Sequence, residues 1–225
     1  MIYDRYIEIQ KDPKDDGKLR IVVREFVEEV ASRYGSSSYH NFTHAVDVTQ
    51  MMFLLVTKYL KGRLKRQEDF YLVISALCHD ISHPGAGSVF LRDQRCLPQD
   101  GTLEQYHMDQ TKDLIENAGL NLFSTEFIRP DRLAELVDYT QDLIDATDIL
   151  KNDKYLDAAR QSKCKKNSML QMEHLAILIK VSDLANVVRD FQDGYSWSQN
   201  LRVELSSEAL YRDAKAQWVG NGDAS

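Results

Sequence analysis

Apolar residues along the chain recur mostly at separations of three and four, the spacing of a buried helical face, and strict alternation is rare. Leu19, Val22, Val23, Phe26, Val27 and Val30 form one such stripe, which runs out at the turn signal Gly35-Ser36-Ser37-Ser38. A second helix is predicted from about Asn41 to Leu60, stopped by Gly62. The run Phe70 to His83 is strongly apolar on its inner side and meets Pro84, whose ring disfavours helix at the preceding residue. Pro84-Gly85-Ala86-Gly87 then reads as a bend. Thr102-Leu103-Glu104-Gln105 offers another helix start, and the loop from Asn117 to Pro130 leaves the next boundary open. Leu133, Leu136, Val137, Leu143 and Ile144 mark a further helix. Met169 to Phe191 is predicted as one long helix with Leu175, Leu178, Ile179, Leu184 and Val188 facing inward, and Tyr195 to Tyr211 as the last. The tail Gly220 to Ser225 is expected to fray. The pattern predicts an all-α fold.

Composition narrows the class. With 225 residues and no repeat or linker to divide them, one domain is expected, with 1–34 as an N-terminal helical part, 35–204 as its core and 205–225 as a helix end and tail. The net charge of −7 argues against a general nucleic-acid polymer or membrane-surface binder, which would need excess Lys and Arg to meet phosphates. The basic clusters Lys61 to Arg66 and Lys163 to Lys166 are short and read as solvated helix ends. Cys78, Cys96 and Cys164 are odd in number and lack C-x-x-C spacing, so neither a disulfide scaffold nor a thiolate zinc site is indicated. A reducing, cytoplasmic setting is expected, with no direct membrane insertion, because neither a signal peptide nor a long apolar run is visible. The oligomeric state is not legible.

The candidate chemistry lies in the histidines. Four of the six form two pairs four residues apart, His40 with His44 and His79 with His83, and on a helix each pair would aim both imidazoles at one site. A lone helical histidine is more often a core or surface residue than a ligand; the repeated pairing favours a metal. Asp80 follows His79 directly, and Asp183 lies in the apolar run Ile177 to Val188, where an ionised carboxylate calls for a cation, hydrogen-bond donors or exposure. Asp80 alone could be a surface acid, and Asp183 alone could bond neighbouring backbone or Arg189. Together with the histidines they suit zinc, with a carboxylate able to bridge to a harder second ion such as magnesium or manganese. Two such ions and a free histidine to protonate a leaving alkoxide are the requirements of phosphate-ester hydrolysis.

Tyr39-His40-Asn41-Phe42-Thr43-His44-Ala45-Val46-Asp47-Val48-Thr49-Gln50, followed by Ala76-Leu77-Cys78-His79-Asp80-Ile81-Ser82-His83-Pro84-Gly85, resembles the catalytic domain of the class I 3′,5′-cyclic nucleotide phosphodiesterases. The likeness continues, in order, through Leu103-Glu104-Gln105-Tyr106-His107, Ala146-Thr147-Asp148-Ile149 and Val181-Ser182-Asp183-Leu184-Ala185-Asn186. The resemblance implies a compact multi-helix fold with a binuclear metal centre that hydrolyses cAMP or cGMP to the 5′-monophosphate. By matched position, His44, His79, Asp80 and Asp183 would bind the tight site, usually zinc, with Asp80 bridging to a second ion, commonly magnesium. His40 matches the general acid that protonates O3′. His83, Glu104 and Thr147 match positions that hold waters around the metals, and Tyr39, Ile149, Leu184 and Asn186 match the nucleotide pocket. His107 is given a supporting role, while His174 and Trp197 read as structural.

The chain departs from the family pattern at Ser88, where Asn is usual, at Lys180, often His, and at Val187, commonly Pro. The family's later helices carry the glutamine and aromatic that hold the purine. Only Val219 to Ser225 follow Trp218, so a shortened version or fragment is expected, and the choice between cAMP and cGMP stays open. Two further readings remain: an HD-type phosphohydrolase acting on another nucleotide, and a non-catalytic nucleotide-sensing or interaction domain.

Overall fold

Every residue from Glu68 to Cys78 is buried, so the helix they form has no solvent face and the other elements are arranged around it. A computed structural model describes residues 16–60, 62–65, 67–124, 128–161 and 170–222. Cys164, Met169, Lys61, Arg66 and the Lys163 to Lys166 cluster lie outside the described residues, as does the end of the tail expected to fray.

The regular structure among the described residues is helical: α1 (Asp16–Arg33), α2 (Phe42–Leu54), α3 (Glu68–Cys78), α4 (Ser88–Asp93), α5 (Leu103–Glu116), α6 (Pro130–Asp145), α7 (Asn152–Gln161), α8 (Met172–Leu184) and α9 (Phe191–Gly222). Short 3-10 turns occupy Asn121–Phe123, Ile149–Lys151 and Ala185–Val188. The expected stripe of α1 is buried at Leu19, Val22, Phe26 and Val30. Phe26 meets Phe123 edge to face with centroids 5.2 Å apart. Helix α3 packs on α2, α6 and α8. Leu136, Val137, Leu143 and Ile144 of α6 and Leu175, Ala176 and Ile179 of α8 complete the core.

Local chemistry sets the helix ends. Asn41 caps α2, its side-chain oxygen accepting from Thr43 N–H at 2.9 Å and His44 N–H at 3.1 Å. The helix then widens into a π turn over Leu55–Tyr59, so the predicted stretch is present with a changed pitch before Gly62. Thr102 caps α5. Ser88 supplies an acceptor there too, taking a hydrogen bond from Leu103 N–H at 3.0 Å.

Three expectations are corrected. Helix α3 stops at Cys78, not His83: Ser82 adopts a left-handed φ of 61° before Pro84, and residues 79–83 form turns. The long helix predicted to Phe191 ends at Leu184 and tightens into the 3-10 turn, which rotates Leu184 and Val188 outward to 50% and 81% exposure. The last helix extends beyond Tyr195 to Tyr211, beginning at Phe191 and continuing through Gly220 to Gly222. Helices α4 and α7 are additional to the predicted elements; at six and ten residues they are short for a helical period to declare itself. No described helix is long and apolar enough to cross a membrane.

Phe70→Ala removes a fully buried ring from the central helix. Urea unfolding should show a loss of about 3–5 kcal/mol, and a loss below ~1 kcal/mol would place Phe70 outside the cooperative core.

Candidate metal centre and proton donor

Three chain segments deliver four potential ligands to one point. His44 lies in the first turn of α2, where the Asn41 cap fixes the helix start. His79 and Asp80 follow the last residue of α3, and Asp183 occupies the last turn of α8. His44 Nε2 lies 3.0 Å from Asp183 Oδ1 and 3.7 Å from Asp80 Oδ2. His79 Nε2 lies 3.1 Å from Asp80 Oδ2 and 3.4 Å from Asp183 Oδ1. A tetrahedral ion with ligands at about 2.0–2.1 Å separates its ligand atoms by about 3.3 Å; His44, His79 and Asp183 offer atoms that all lie within 4.8 Å of one another, a spacing that suits one cation, with Asp80 beside His79.

The imidazoles are oriented for that task. His79 Nδ1 lies 2.9 Å from the Ala76 carbonyl, which fixes the proton on Nδ1 and leaves Nε2 as the ligand atom. That Nε2 is buried with no hydrogen-bond partner, an orphan that a cation would satisfy. His44 is fully buried. The Asn186 amide lies 2.8 Å from Tyr39 Oη and 3.4 Å from His44 Nδ1, while Asn186 Oδ1 has no partner. Turning the amide over, a change its heavy-atom shape permits, lets the oxygen accept from both the Tyr39 hydroxyl and His44 Nδ1–H. His44 Nε2 is then free as well.

Electrostatics carry the same message. Burial penalises both carboxylates, yet His79 and the other imidazoles hold Asp80 well below its ordinary range, and the adjacent His44 and His79 rings do the same for Asp183. Conversely, burial disfavours charge on His79, but the Asp80 and Asp183 carboxylates raise its pKa well above 6.5. The pocket therefore demands positive charge. Asp80 offers its oxygens to two sides, Oδ2 toward His44 and His79, and Oδ1 toward His107 Nε2 at 3.8 Å. His107 Nδ1 lies 2.7 Å from the Ile81 carbonyl, and its buried Nε2 has no partner. The donor set of His44, His79 and Asp183, with Asp80 alongside, therefore fits a divalent cation.

Beside this centre stands a second histidine group. His40 Nδ1 is 2.5 Å from Glu204 Oε1. Glu204 is buried, and its other oxygen accepts from Tyr39 N–H at 3.1 Å, His40 N–H at 3.2 Å and the Ser37 hydroxyl. Burial lowers the His40 pKa, but the Glu204 hydrogen bond and the nearby carboxylates outweigh it, so His40 is raised above 6.5. Glu204 is lowered to about 2, the His40 contact overcoming its burial. His83 stacks on His40 with centroids 4.0 Å apart and planes inclined by 19°. Burial and neighbouring His40 push its pKa down to about 3. A raised imidazole pKa at His40 and a lowered one at His83 beside one carboxylate suit the handling of a proton, and the ligand atoms of His40, His83 and Glu204 also lie within 4.8 Å of one another.

The paired spacing thus brings the right residues together by the wrong route. His40 precedes α2, and His79 and His83 follow α3, so neither pair shares a helical face. The partners are exchanged: His44 joins His79, and His40 joins His83. Arg189 pairs with Asp47 and not with Asp183. Glu204 was missed because one acid on a solvated helix carries no distinguishing pattern.

The remaining candidates are more dispersed. Half-buried Glu104 lies in the first turn of α5, where burial, Asp148 and Asp80 raise its pKa. The Thr147 hydroxyl donates to the Ile144 carbonyl at 2.7 Å. Ile149 is 69% exposed on its 3-10 turn. Leu184 lines an apolar groove of about 420 Å³ with Met51, Leu156, Ile177 and Val181. Tyr39 and Asn186 are buried against His44, and Trp197 packs edge-on to Tyr39 and His44 at 5.6 and 5.7 Å. Lys180 donates from Nζ to the Asp148 carbonyl at 2.8 Å.

Comparison with known proteins agrees with this geometry. A family model described as 3′5′-cyclic nucleotide phosphodiesterase matches residues 39–215. The phosphodiesterase regA of Dictyostelium discoideum is 29% identical over 203 residues, 84% of this chain and 25% of that protein. The mouse high affinity cGMP-specific 3′,5′-cyclic phosphodiesterase 9A is 26% identical over 194 residues, 82% of this chain and 36% of that protein. The chain thus spans only 25–36% of the length of these two curated relatives. The crystal structure of the phosphodiesterase domain of Salpingoeca rosetta rhodopsin phosphodiesterase shares the fold, with a TM-score of 0.77 at 21% identity over 96% of this chain and 68% of that one. Because the family match spans well over half of the sequence and takes in His40, His44, His79, Asp80, Asp183 and Glu204, the chain belongs to the 3′,5′-cyclic nucleotide phosphodiesterase family.

Proposed function

We propose that this chain is a single catalytic domain that hydrolyses 3′,5′-cyclic nucleotides to 5′-monophosphates in cyclic nucleotide signalling. The observation that carries the reading is the convergence of His44, His79, Asp80 and Asp183 beside a histidine held by a buried carboxylate. Cyclic nucleotide is the proposed substrate class without a choice of base, since one relative's name specifies cGMP and another's does not. The reducing cytoplasm is the proposed compartment, in keeping with unpaired Cys78 and Cys96.

His44, His79, Asp80 and Asp183 would hold zinc, and Asp80 would reach a second ion, magnesium or manganese. When bound, the two cations would make water a competent nucleophile near neutral pH and offset charge on the phosphoryl oxygens. The chain's own residues do the rest. His40 carries the proton destined for the O3′ leaving oxygen; Glu204 on Nδ1 sets its orientation and keeps it protonated. Neutral His83 packs against the His40 ring and limits its rotation. Asn186 and Tyr39 steady His44. Glu104 and Thr147 order water near the ions, and exposed Ile149 and Leu184 offer an apolar surface to the nucleoside.

His40→Ala should lower kcat for cAMP or cGMP hydrolysis by about 10²–10⁴-fold, while metal analysis shows content unchanged; unaltered turnover in the variant would remove His40 as the proton donor, and nucleotide binding without turnover by the unaltered, metal-replete chain would favour the sensing-domain reading. A panel of other nucleotide esters separates the HD-type alternative. Asp183→Ala should strip metal as well as activity, and retention of stoichiometric metal would remove Asp183 from the ligand set.

The pH dependence has a definite sign. His40 must be protonated to act, so kcat falls as pH rises through its pKa, which lies above 6.5. Glu204→Gln withdraws the anion that raises this pKa, so the alkaline limb of the kcat profile should move to lower pH. An unmoved limb would assign the proton to another group.

A further inference from the structure

The His44–Asp183 approach joins two elements, α2 and the end of α8, that meet again one turn further along. Asp47 stands three residues after His44 on α2, and therefore on the neighbouring turn of the same face. Arg189 stands six residues after Asp183, where the 3-10 turn Ala185–Val188 opens into extended backbone with φ −76° and ψ −176°. The two form an ion pair, with side-chain exposures of 11% for Asp47 and 31% for Arg189. The contact runs through Arg189 Nη2 and Asp47 Oδ1, while Asp47 Oδ2 and Arg189 Nε are buried without a hydrogen-bond partner, so at those atoms neither group has solvent to fall back on if its partner is removed.

Between Asp183 and Arg189, Asn186 is fully buried and bonded to Tyr39 and adjacent to His44 Nδ1. The segment leaving Asp183 is thus fastened to α2 at two successive places. Leu184, Val187 and Val188 on the same segment are 50%, 54% and 81% exposed and add little packing to hold it. We propose that Arg189 is a positioning residue for the metal centre, its pairing with Asp47 fixing the segment that follows Asp183 on the helix that carries His44, so that the two ligands face one ion. The inference rests on the metal-centre reading above.

The test measures zinc affinity of the full chain by chelator competition, with circular dichroism to confirm folding. Arg189→Gln should weaken zinc binding at least tenfold, within the 10–100-fold typical of outer partners of metal ligands. Arg189→Lys, which keeps the charge but loses the guanidinium, should fall between Arg189→Gln and the unaltered chain. If Arg189→Gln does not fold, the doubly neutral Asp47→Asn/Arg189→Gln variant leaves no lone buried charge and should show the same tenfold loss. Affinity within twofold of the unaltered chain in a folded variant, even one with a lower Tm, would make the pair merely structural and overturn the proposal. Failure of the unaltered chain to bind zinc would instead overturn the metal centre itself.

Discussion

Two carboxylates drawn into a pocket walled by imidazoles need positive charge, and that need organises the structure. Asp80 and Asp183 converge on the same His44 and His79 nitrogens, a repulsive arrangement unless protons or a cation stand between them. Protons can do this at His79, whose pKa is raised, but only by occupying the lone pair a metal would use. The folded chain therefore carries a built-in affinity for a divalent ion. The core exists to make that affinity rigid: α3 is buried along its whole length and ends where His79 begins, while α2 and α8 pack on its flanks.

The fold class was legible because helical periodicity survives in the stripes of α1, α6 and α8: Leu19, Phe26, Leu136, Leu143, Leu175 and Ile179 are buried where the spacing put them, while Leu184, also predicted inward, is half exposed. Helix ends were less legible. The break at Leu184 depends on a tertiary demand, the docking of buried Asn186 against Tyr39 and His44, which no local signal announces. Pro84 did announce a stop, but Ser82's left-handed turn moved the end of α3 back to Cys78. That shift matters chemically. A helix continuing to His83 would stack it above His79; the turn instead sends His83 to His40 and leaves His79 with His44.

The same contrast holds at the site. His44, His79, Asp80 and Asp183 were visible as residue types in an apolar setting, where imidazoles and acids must be explained. Glu204 and Arg189 were not, since charged side chains on a long helix or after a turn are the ordinary covering of a soluble surface. Only the three-dimensional path turns them inward. Glu204 is 6% exposed on a helix whose neighbours Val203 and Leu205 are 54% and 55% exposed, so its burial reflects the backbone donors of Tyr39 and His40, not an apolar stripe.

The two halves of the site consequently have different supports. The proposed metal ligands sit at the ends of α2, α3 and α8, elements that bury their own apolar faces in the core. The proposed proton donor depends on α9, which approaches through polar contacts: Glu204 to Ser37, Tyr39 and His40, and Glu208 accepting from Gly87 N–H at 2.9 Å. Gly85 holds φ 75° in the intervening loop, a backbone conformation that strains any residue with a Cβ, although a Cβ there would make only ordinary contact with Ser37 at 3.5 Å. Polar clamps release on protonation or solvation more readily than packed cores. Disturbing α9 would therefore reach His40 first, and through Trp197 it would also reach His44. In the proposed mechanism, charge neutralisation and proton donation thus rest on different supports that meet at α9.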